Sequence, residues 1–84
     1  MSDISVPTVE IIVLNNSIGE SVCFRTIQTD IISIEIYNVN GQLVNSWQGQ
    51  SNNIFMKTDY LSTGLYFDHI ITNNGKYVKK LIKI

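Results

Sequence analysis

Apolar and polar residues alternate in short runs along the chain, and clusters rich in Gly, Asn and Asp interrupt the alternation. β-Branched and aromatic side chains dominate the apolar positions, and these side chains favour strands over helices. No long apolar stripe at helical spacing competes with this pattern. The chain is therefore predicted to be all-β, with about seven short strands at residues 8–14, 20–26, 32–37, 42–48, 54–57, 65–72 and 76–84.

The alternation also predicts which side chains face the core, because successive residues of a strand point to opposite faces. In the second strand, Val22 and Phe24 share one face. In the third strand, Ile32, Ile34 and Ile36 form an apolar face that we expect in the core.

Asn40-Gly41 predicts a tight turn between the third and fourth strands. A primed hairpin turn needs positive φ at both central residues, and Asn-Gly meets that need at the lowest steric cost. The returning strand should then place Leu43 and Trp47 on one face, opposite to Val44.

Seven short strands joined by tight turns predict an antiparallel two-sheet sandwich, because a lone sheet would leave one apolar face in water. At 84 residues the chain has room for one core. No repeat, low-complexity segment or linker divides it, so residues 1–84 are predicted to form a single domain. Edge strands of such a sandwich also offer a route to a homodimer.

Composition excludes several classes of function. Hydrophobic residues make up 44% and charged residues 15% of the chain, which suits a folded core, and the net charge of −1 favours no nucleic acid or anionic membrane. Four of the six basic residues fall in the last nine positions, so the C-terminal strip is the positive end of the chain. Cys23 is the single cysteine, which rules out an internal disulfide and a cysteine-based zinc site within one chain.

The N-terminus carries an acidic residue, Asp3, where a signal peptide would be basic, and no apolar segment follows that is long enough for export or for a membrane span. The sequence is thus expected to be either a fragment of a longer exported protein or a free-standing cytoplasmic protein. A coding sequence that continues upstream of residue 1 would favour the first reading, and a true start codon the second.

Four segments from residue 31 onward occur in a distinctive order. An isoleucine-rich strand leads into YNVNGQLV at 37–44, LSTGLYF follows at 61–67, then GK at 75–76, and the sequence closes with KKLIKI at 79–84. This order resembles the type A C-terminal sorting domain of type IX secretion cargo, in which an "I-x-I-Y-x-x-x-G-x-x-V" strand leads through "L-x-x-G-x-Y" and "N-G-K" to "K-K-L-I-K". The first thirty residues fit loosely, since Leu14 and Asn16 stand where the family's opening motif has prolines.

The resemblance implies an Ig-like sandwich at the C-terminus of exported Bacteroidetes proteins. It implies a non-catalytic sorting signal without a cofactor, which docks to the secretion machinery and takes its cargo through the outer membrane to the cell surface or the medium. In many members a sortase then removes the domain. The residues expected to carry recognition lie in the last two strands: Gly64, Tyr66, Gly75, Lys76, Lys79, Lys80, Leu81, Ile82 and Lys83.

In that role, the final strand is expected to turn its apolar residues inward and its lysines outward, with a sheet edge open to strand addition. Asp68 departs from the resemblance, because the family usually has an aliphatic residue two positions after the tyrosine. An inward carboxylate needs a partner or a shift of register, so we expect Asp68 near an edge or paired with a lysine.

The sequence gives only weak support for a catalytic site or a metal site. Cys23, His69 and Asp68 suggest a cysteine nucleophile, but neighbouring strand residues point to opposite faces, so Asp68 cannot orient His69. Acidic residues are scattered singly, which leaves only the turns at Asp30 and Asp59 as candidate calcium sites.

Two further binding functions stay open as alternatives. The terminal lysines lack the interleaved exposed aromatic residues typical of a nucleic-acid surface, so a solvated strand face is the simpler interpretation. Trp47, Tyr37 and Tyr60 suggest a sugar-stacking platform, although core or cross-strand packing explains each of them more simply. The alternatives to a sorting domain are therefore a free-standing Ig-like adhesive or scaffold domain and, less favoured, a carbohydrate-binding module.

Overall fold

The computed structural model describes residues 10–15 and 21–83, and all seven predicted strands occur in it. The strands are β1 (Glu10–Asn15), β2 (Ser21–Ile27), β3 (Ile31–Asn38), β4 (Leu43–Ser51), β5 (Asn53–Lys57), β6 (Gly64–Thr72) and β7 (Gly75–Lys83). Predictions for residues 8–9, for the turn at 16–19, and for residues 20 and 84 lie outside the described residues.

The strands form two antiparallel sheets, as the sandwich prediction requires. One sheet has the order β1-β2-β5 and the other has the order β4-β3-β6-β7. The chain passes between the sheets after β2, after β4 and after β5, and Asn52 alone separates β4 from β5. The Asn52 carbonyl accepts a hydrogen bond from the Thr26 amide at 3.0 Å, which ties this crossing to the three-stranded sheet.

The core lies between the two sheets and is almost entirely apolar. β-Branched residues dominate it because they pack well on a pleated surface. Its buried side chains are Ile11, Val22, Phe24, Ile31, Ile34, Ile36, Ile54, Met56, Leu61, Tyr66, Ile70 and Leu81. The predicted inward pair of β2, Val22 and Phe24, is confirmed, since both side chains are fully buried.

The predicted inward face of β3 is wrong at one residue. Ile31 is fully buried, whereas Ile32 is 39% exposed. The pairing with β6 shifts between Ile31 and Ser33, so Ile32 is an extra residue in the ladder. Such a bulge changes which side chains face the core, and it puts Ile31 beside Ile34 and Ile36 in place of Ile32.

The hairpin at 38–43 is confirmed, but its turn is not the predicted primed type. The Gly41 amide donates to the Asn38 carbonyl at 3.0 Å, and Gly41 has φ 80°. Gln28 is the only described non-glycine residue with positive φ, so Asn40 has the ordinary sign. The arrangement is a type I turn followed by a left-handed glycine, the usual three-residue hairpin.

This turn also changes the orientation of β4. Tyr37 pairs with Leu43 while Ile36 pairs with Asn45, which makes Val44 an extra residue in the ladder. Val44 and Trp47 therefore pack against the core, and Leu43 is 52% exposed on the outside. The expectation that Leu43 and Trp47 share a face is wrong because the bulge reverses the alternation between them.

No helix in the described parts of the chain is long and apolar enough to cross a membrane.

Candidate functional site

All nine residues predicted for recognition lie on the hairpin formed by β6 and β7. Nine residue pairs connect the two strands, from Gly64 with Lys83 to Thr72 with Gly75. At the turn, the Asn74 amide donates to Thr72 Oγ1 at 3.0 Å, and the Thr72 hydroxyl donates to the Gly75 carbonyl at 3.2 Å. Gly75 has φ 144°, a region that favours glycine, so the turn depends on this residue.

Two of the predicted residues, Tyr66 and Leu81, face the core. They pair across the hairpin and are only 6% and 2% exposed. The Tyr66 hydroxyl donates to the Ser62 carbonyl at 2.7 Å, which fixes the connection before β6 against the sheet. Their side chains therefore have almost no surface available for direct contact with another molecule.

Removal of the Tyr66 hydroxyl is expected to destabilise the fold without changing its packing. Tyr66→Phe should lower the free energy of unfolding by about 1 kcal/mol, because the Ser62 carbonyl loses its donor. Tyr37→Phe is the control, since the Tyr37 hydroxyl bonds to Glu35 on the surface and should contribute less. Urea unfolding followed by circular dichroism measures both, and equal losses would contradict the expectation.

The four lysines of β7 divide between its two faces. Lys79 and Lys83 lie on the same side of the strand as Leu81, and Lys79 pairs with the inward Asp68. Lys76 and Lys80 lie on the opposite side.

The outward side of β7 also carries apolar residues. Val78, which lies between Lys76 and Lys80, is 55% exposed, and Ile82, which follows Lys80 on the same side, is 62% exposed. The expected division, with apolar residues inward and lysines outward, is therefore wrong. The register of β6 and β7 sets the faces, and it gives each face of β7 both lysines and apolar residues.

Asp68 occupies the inner face of β6. The side chain is fully buried, and neither carboxylate oxygen has a hydrogen-bond partner among the residues that the structure describes. Its cross-strand neighbours are Ile36 on β3 and Lys79 on the edge strand β7. Loss of hydration on burial raises the pKa of Asp68 from 3.8 to about 7. The position was expected near an edge or paired with a lysine. Asp68 instead lies one strand in from the edge strand β7, and among the described residues its carboxylate makes no hydrogen bond to its cross-strand neighbour Lys79.

The opposite side of the four-stranded sheet forms a continuous surface, here called the outer sheet face. One row across it runs through Leu43, Tyr37, Phe67 and Lys80, because these residues are cross-strand neighbours. The next rows add Leu65 with Ile82, Glu35 with His69 and Val78, and Ile71 with Lys76.

Tyr37 organises the polar part of the outer sheet face. Its ring contacts the His69 ring at a centroid distance of 4.7 Å and an angle of 58°. Its hydroxyl donates to Glu35 Oε1 at 3.0 Å, and this hydrogen bond to a carboxylate raises the pKa of Tyr37. The one acidic side chain that the described strands place on this face is thus already engaged by the protein.

The structure separates the residues considered for nucleophilic catalysis. Cys23 lies in β2 on the side opposite to Val22 and Phe24, where its thiol contacts Asn53 Oδ1 at 3.2 Å. His69 lies on the outside of the other sheet, beside Tyr37. The two side chains stand on opposite surfaces of the sandwich and cannot form a nucleophile–base pair.

The candidate calcium turns at Asp30 and Asp59 gather no cluster of acidic side chains among the described residues. Among residues 10–15 and 21–83, no three His, Cys, Asp or Glu side chains are close enough to hold a metal ion. The Asp30 carboxylate instead accepts a hydrogen bond from Gln50 at 3.1 Å. Asp30 borders an open polar cleft of about 360 Å³ between three turns, lined by Gln28, Thr29, Asp30, Asn52, Asn73 and Asn74.

The three aromatic residues considered for a sugar platform do not share a surface. Trp47 pairs with the buried Ile34 and packs against the core, while Tyr37 faces outward from the same sheet. Gly49 accommodates the indole, since a Cβ there would lie 2.8 Å from the Trp47 ring. Tyr60 is exposed in the connection before β6. The carbohydrate-binding alternative therefore loses its structural basis.

Sequence reasoning missed the outer sheet face as a unit. Its signal was present in β6, where Leu65, Phe67 and Ile71 alternate with the equally apolar Tyr66 and Ile70. A strand that is apolar on both sides has either a second layer or a binding surface on the outside.

Comparison with known proteins gives the affiliation of the chain. No curated protein matches it. The family model described as the secretion system C-terminal sorting domain matches residues 6–84, which extends the resemblance of residues 31–84 through the first strands as well. The match spans nearly the whole chain, and the all-β sandwich agrees with it. The chain therefore belongs to the family of type IX secretion C-terminal sorting domains.

Proposed function

We propose that this chain is the non-catalytic sorting signal of a larger exported protein, read by the type IX secretion machinery in the periplasm. The machinery carries the attached cargo across the outer membrane, and the cargo is then held at the cell surface or released. The single observation that supports this most strongly is the family match over residues 6–84.

The fold supports the proposal in a second way. A signal must present an ordered surface, and β7 is paired with β6 along its full length, from Gly75 to Lys83. The exposed cations Lys76 and Lys80 then stand at fixed positions on an edge strand. An ordered surface costs less conformational entropy on binding than a mobile segment.

The nine predicted residues take different parts in this function. Gly64 and Gly75 allow the backbone to enter β6 and β7, with φ values of 150° and 144°. Tyr66 and Leu81 anchor the hairpin on the core. On the outward side of β7, Lys76, Lys80 and Ile82 reach a docking protein directly. Lys79 and Lys83 lie on the other side of this edge strand and contribute positive charge at the edge of the sheet.

A secretion experiment tests the proposal. Residues 1–84 are fused behind a signal peptide and a reporter in a host with a working type IX system, with the same reporter without the domain as control. We expect the fusion at the cell surface or in the medium and the control in the periplasm. A fusion that stays in the periplasm with the control would contradict the proposal and favour an adhesive or scaffold domain.

A further inference from the structure

The outer sheet face carries several exposed apolar side chains. Its exposed apolar side chains come from three strands: Leu43, Ile71, Val78 and Ile82. Leu43 lies at the β4 edge and Val78 and Ile82 at the β7 edge, and the half-buried rings of Tyr37 and Phe67 lie between these edges. Large contiguous apolar patches on soluble proteins usually mark interaction sites.

The charges on the outer sheet face indicate which kind of partner it complements. Lys76 and Lys80 alternate with Val78 and Ile82 along β7, and neither lysine makes an ion pair with any described residue. The acid on the same face, Glu35, already accepts the Tyr37 hydroxyl. The face therefore offers two unpaired cations beside an apolar centre, which complements an apolar surface rimmed by carboxylates.

The same charges argue against a second copy as the occupant. Two outer sheet faces placed together would bring like lysines of both β7 strands into one interface, with Glu35 as the acid available to balance them. Unpaired like charges in a desolvated interface oppose association.

We infer that the outer sheet face is the docking surface of this domain, and that its partner is a protein surface with an apolar centre and acidic side chains opposite Lys76 and Lys80. This inference rests on the proposed function and assigns a place to it: the partner covers the outer side of the four-stranded sheet, from β7 across to Leu43 on β4. The recognition residues then also include Val78, Leu43 and Phe67. Tyr66 and Leu81 contribute indirectly, because they anchor the hairpin on the core.

The test uses the reporter fusion with matched variants on the two sheets. The double variant Val78→Thr with Ile82→Thr removes apolar contact while keeping β-branched residues, and Lys80→Glu reverses one charge. The controls are Phe55→Thr and Lys57→Glu on β5 of the other sheet, where Phe55 is 71% exposed. Thermal unfolding of each purified chain shows that the fold is retained.

We expect export of the two face variants to fall by about tenfold or more, since central interface residues dominate binding, and the controls to stay within about twofold of the parent. Parental export of the face variants, or an equal loss in the controls, would overturn the inference while leaving the proposed function intact. Failure of the parent fusion would instead count against the proposed function itself.

Two further outcomes would also overturn the inference. Dimerisation of the purified chain that Val78→Thr with Ile82→Thr abolishes, measured by light scattering, would assign the face to a second copy. Binding to vesicles of phosphatidylglycerol and phosphatidylethanolamine that the same variant abolishes would assign it to lipid. We expect a monomer and no binding to these vesicles.

Discussion

Replacement of Asp68 by valine is expected to raise the free energy of unfolding at pH 8 by roughly 4 kcal/mol. The carboxylate is fully buried and no described residue hydrogen-bonds to either oxygen, so the folded state carries an uncompensated charge at this pH. The difference between the usual pKa of 3.8 and the raised value of about 7, at about 1.4 kcal/mol per pH unit, gives that magnitude. Valine also matches the aliphatic residue usual at this position in the family.

The same group sets the pH dependence of stability. Between about pH 4 and pH 7 the unfolded chain has lost the Asp68 proton while the folded chain retains it, so folding takes up a proton. The stability that protonation provides is complete below about pH 4 and is lost as the pH rises through about 7. The wild-type chain should therefore be least stable above pH 7.

Urea unfolding of three proteins from pH 4 to pH 9 measures this effect. Asp68→Asn is the matched control, because it keeps the size of the side chain but cannot titrate, and it should remove the decline between pH 4 and pH 7. The advantage of Asp68→Val over the wild type should shrink towards pH 4. A wild-type chain as stable at pH 8 as at pH 5 would show that the carboxylate has a partner in solution.

The second large effect concerns two adjacent isoleucines. Ile31→Ala is expected to lower the free energy of unfolding by about 3 kcal/mol, because its side chain is fully buried in the core and truncation leaves a cavity. Ile32→Ala should cost well under half as much, since Ile32 is 39% exposed. Each of the two variants serves as the control for the other, because the chemical change is the same at both positions.

Urea unfolding again gives the comparison, at a pH near 5 where Asp68 is protonated. The reverse order, with Ile32 the costlier residue, would show that the ladder has no bulge between Ile31 and Ser33. Equal costs would mean that both side chains share the core.

This pair also shows how far the sequence predicts the fold. Alternation located every strand and both inward residues of β2, because the pattern keeps its phase within an unbroken ladder. A bulge changes which alternate residues face the core. Residues 31–36 include four isoleucines, so the sequence does not show where in this segment the bulge lies. The bulge at Val44 is equally hard to predict, because the neighbouring Leu43 is also aliphatic.

The terminal strand was ambiguous for a different reason. Its sequence, KYVKKLIK, gives each face two lysines and two apolar residues, so periodicity alone cannot choose between the faces. Pairing with β6 decides which face is inward. Tyr66 and Ile70 of β6 are buried, so their cross-strand neighbours Leu81 and Tyr77 lie on the inward face of β7. The family resemblance predicted recognition residues on the hairpin of β6 and β7 but carried no information about which side is outward.

The crossing between β4 and β5 has a consequence for cooperativity. A single residue, Asn52, carries the chain from one sheet to the other, and its carbonyl is bonded to β2. Separation of the two sheets would therefore pull directly on β4 and β5, an edge strand of each sheet, so one sheet is not expected to stay intact without the other. The domain should therefore unfold in one all-or-none transition, and circular dichroism and Trp47 fluorescence should report the same midpoint in urea.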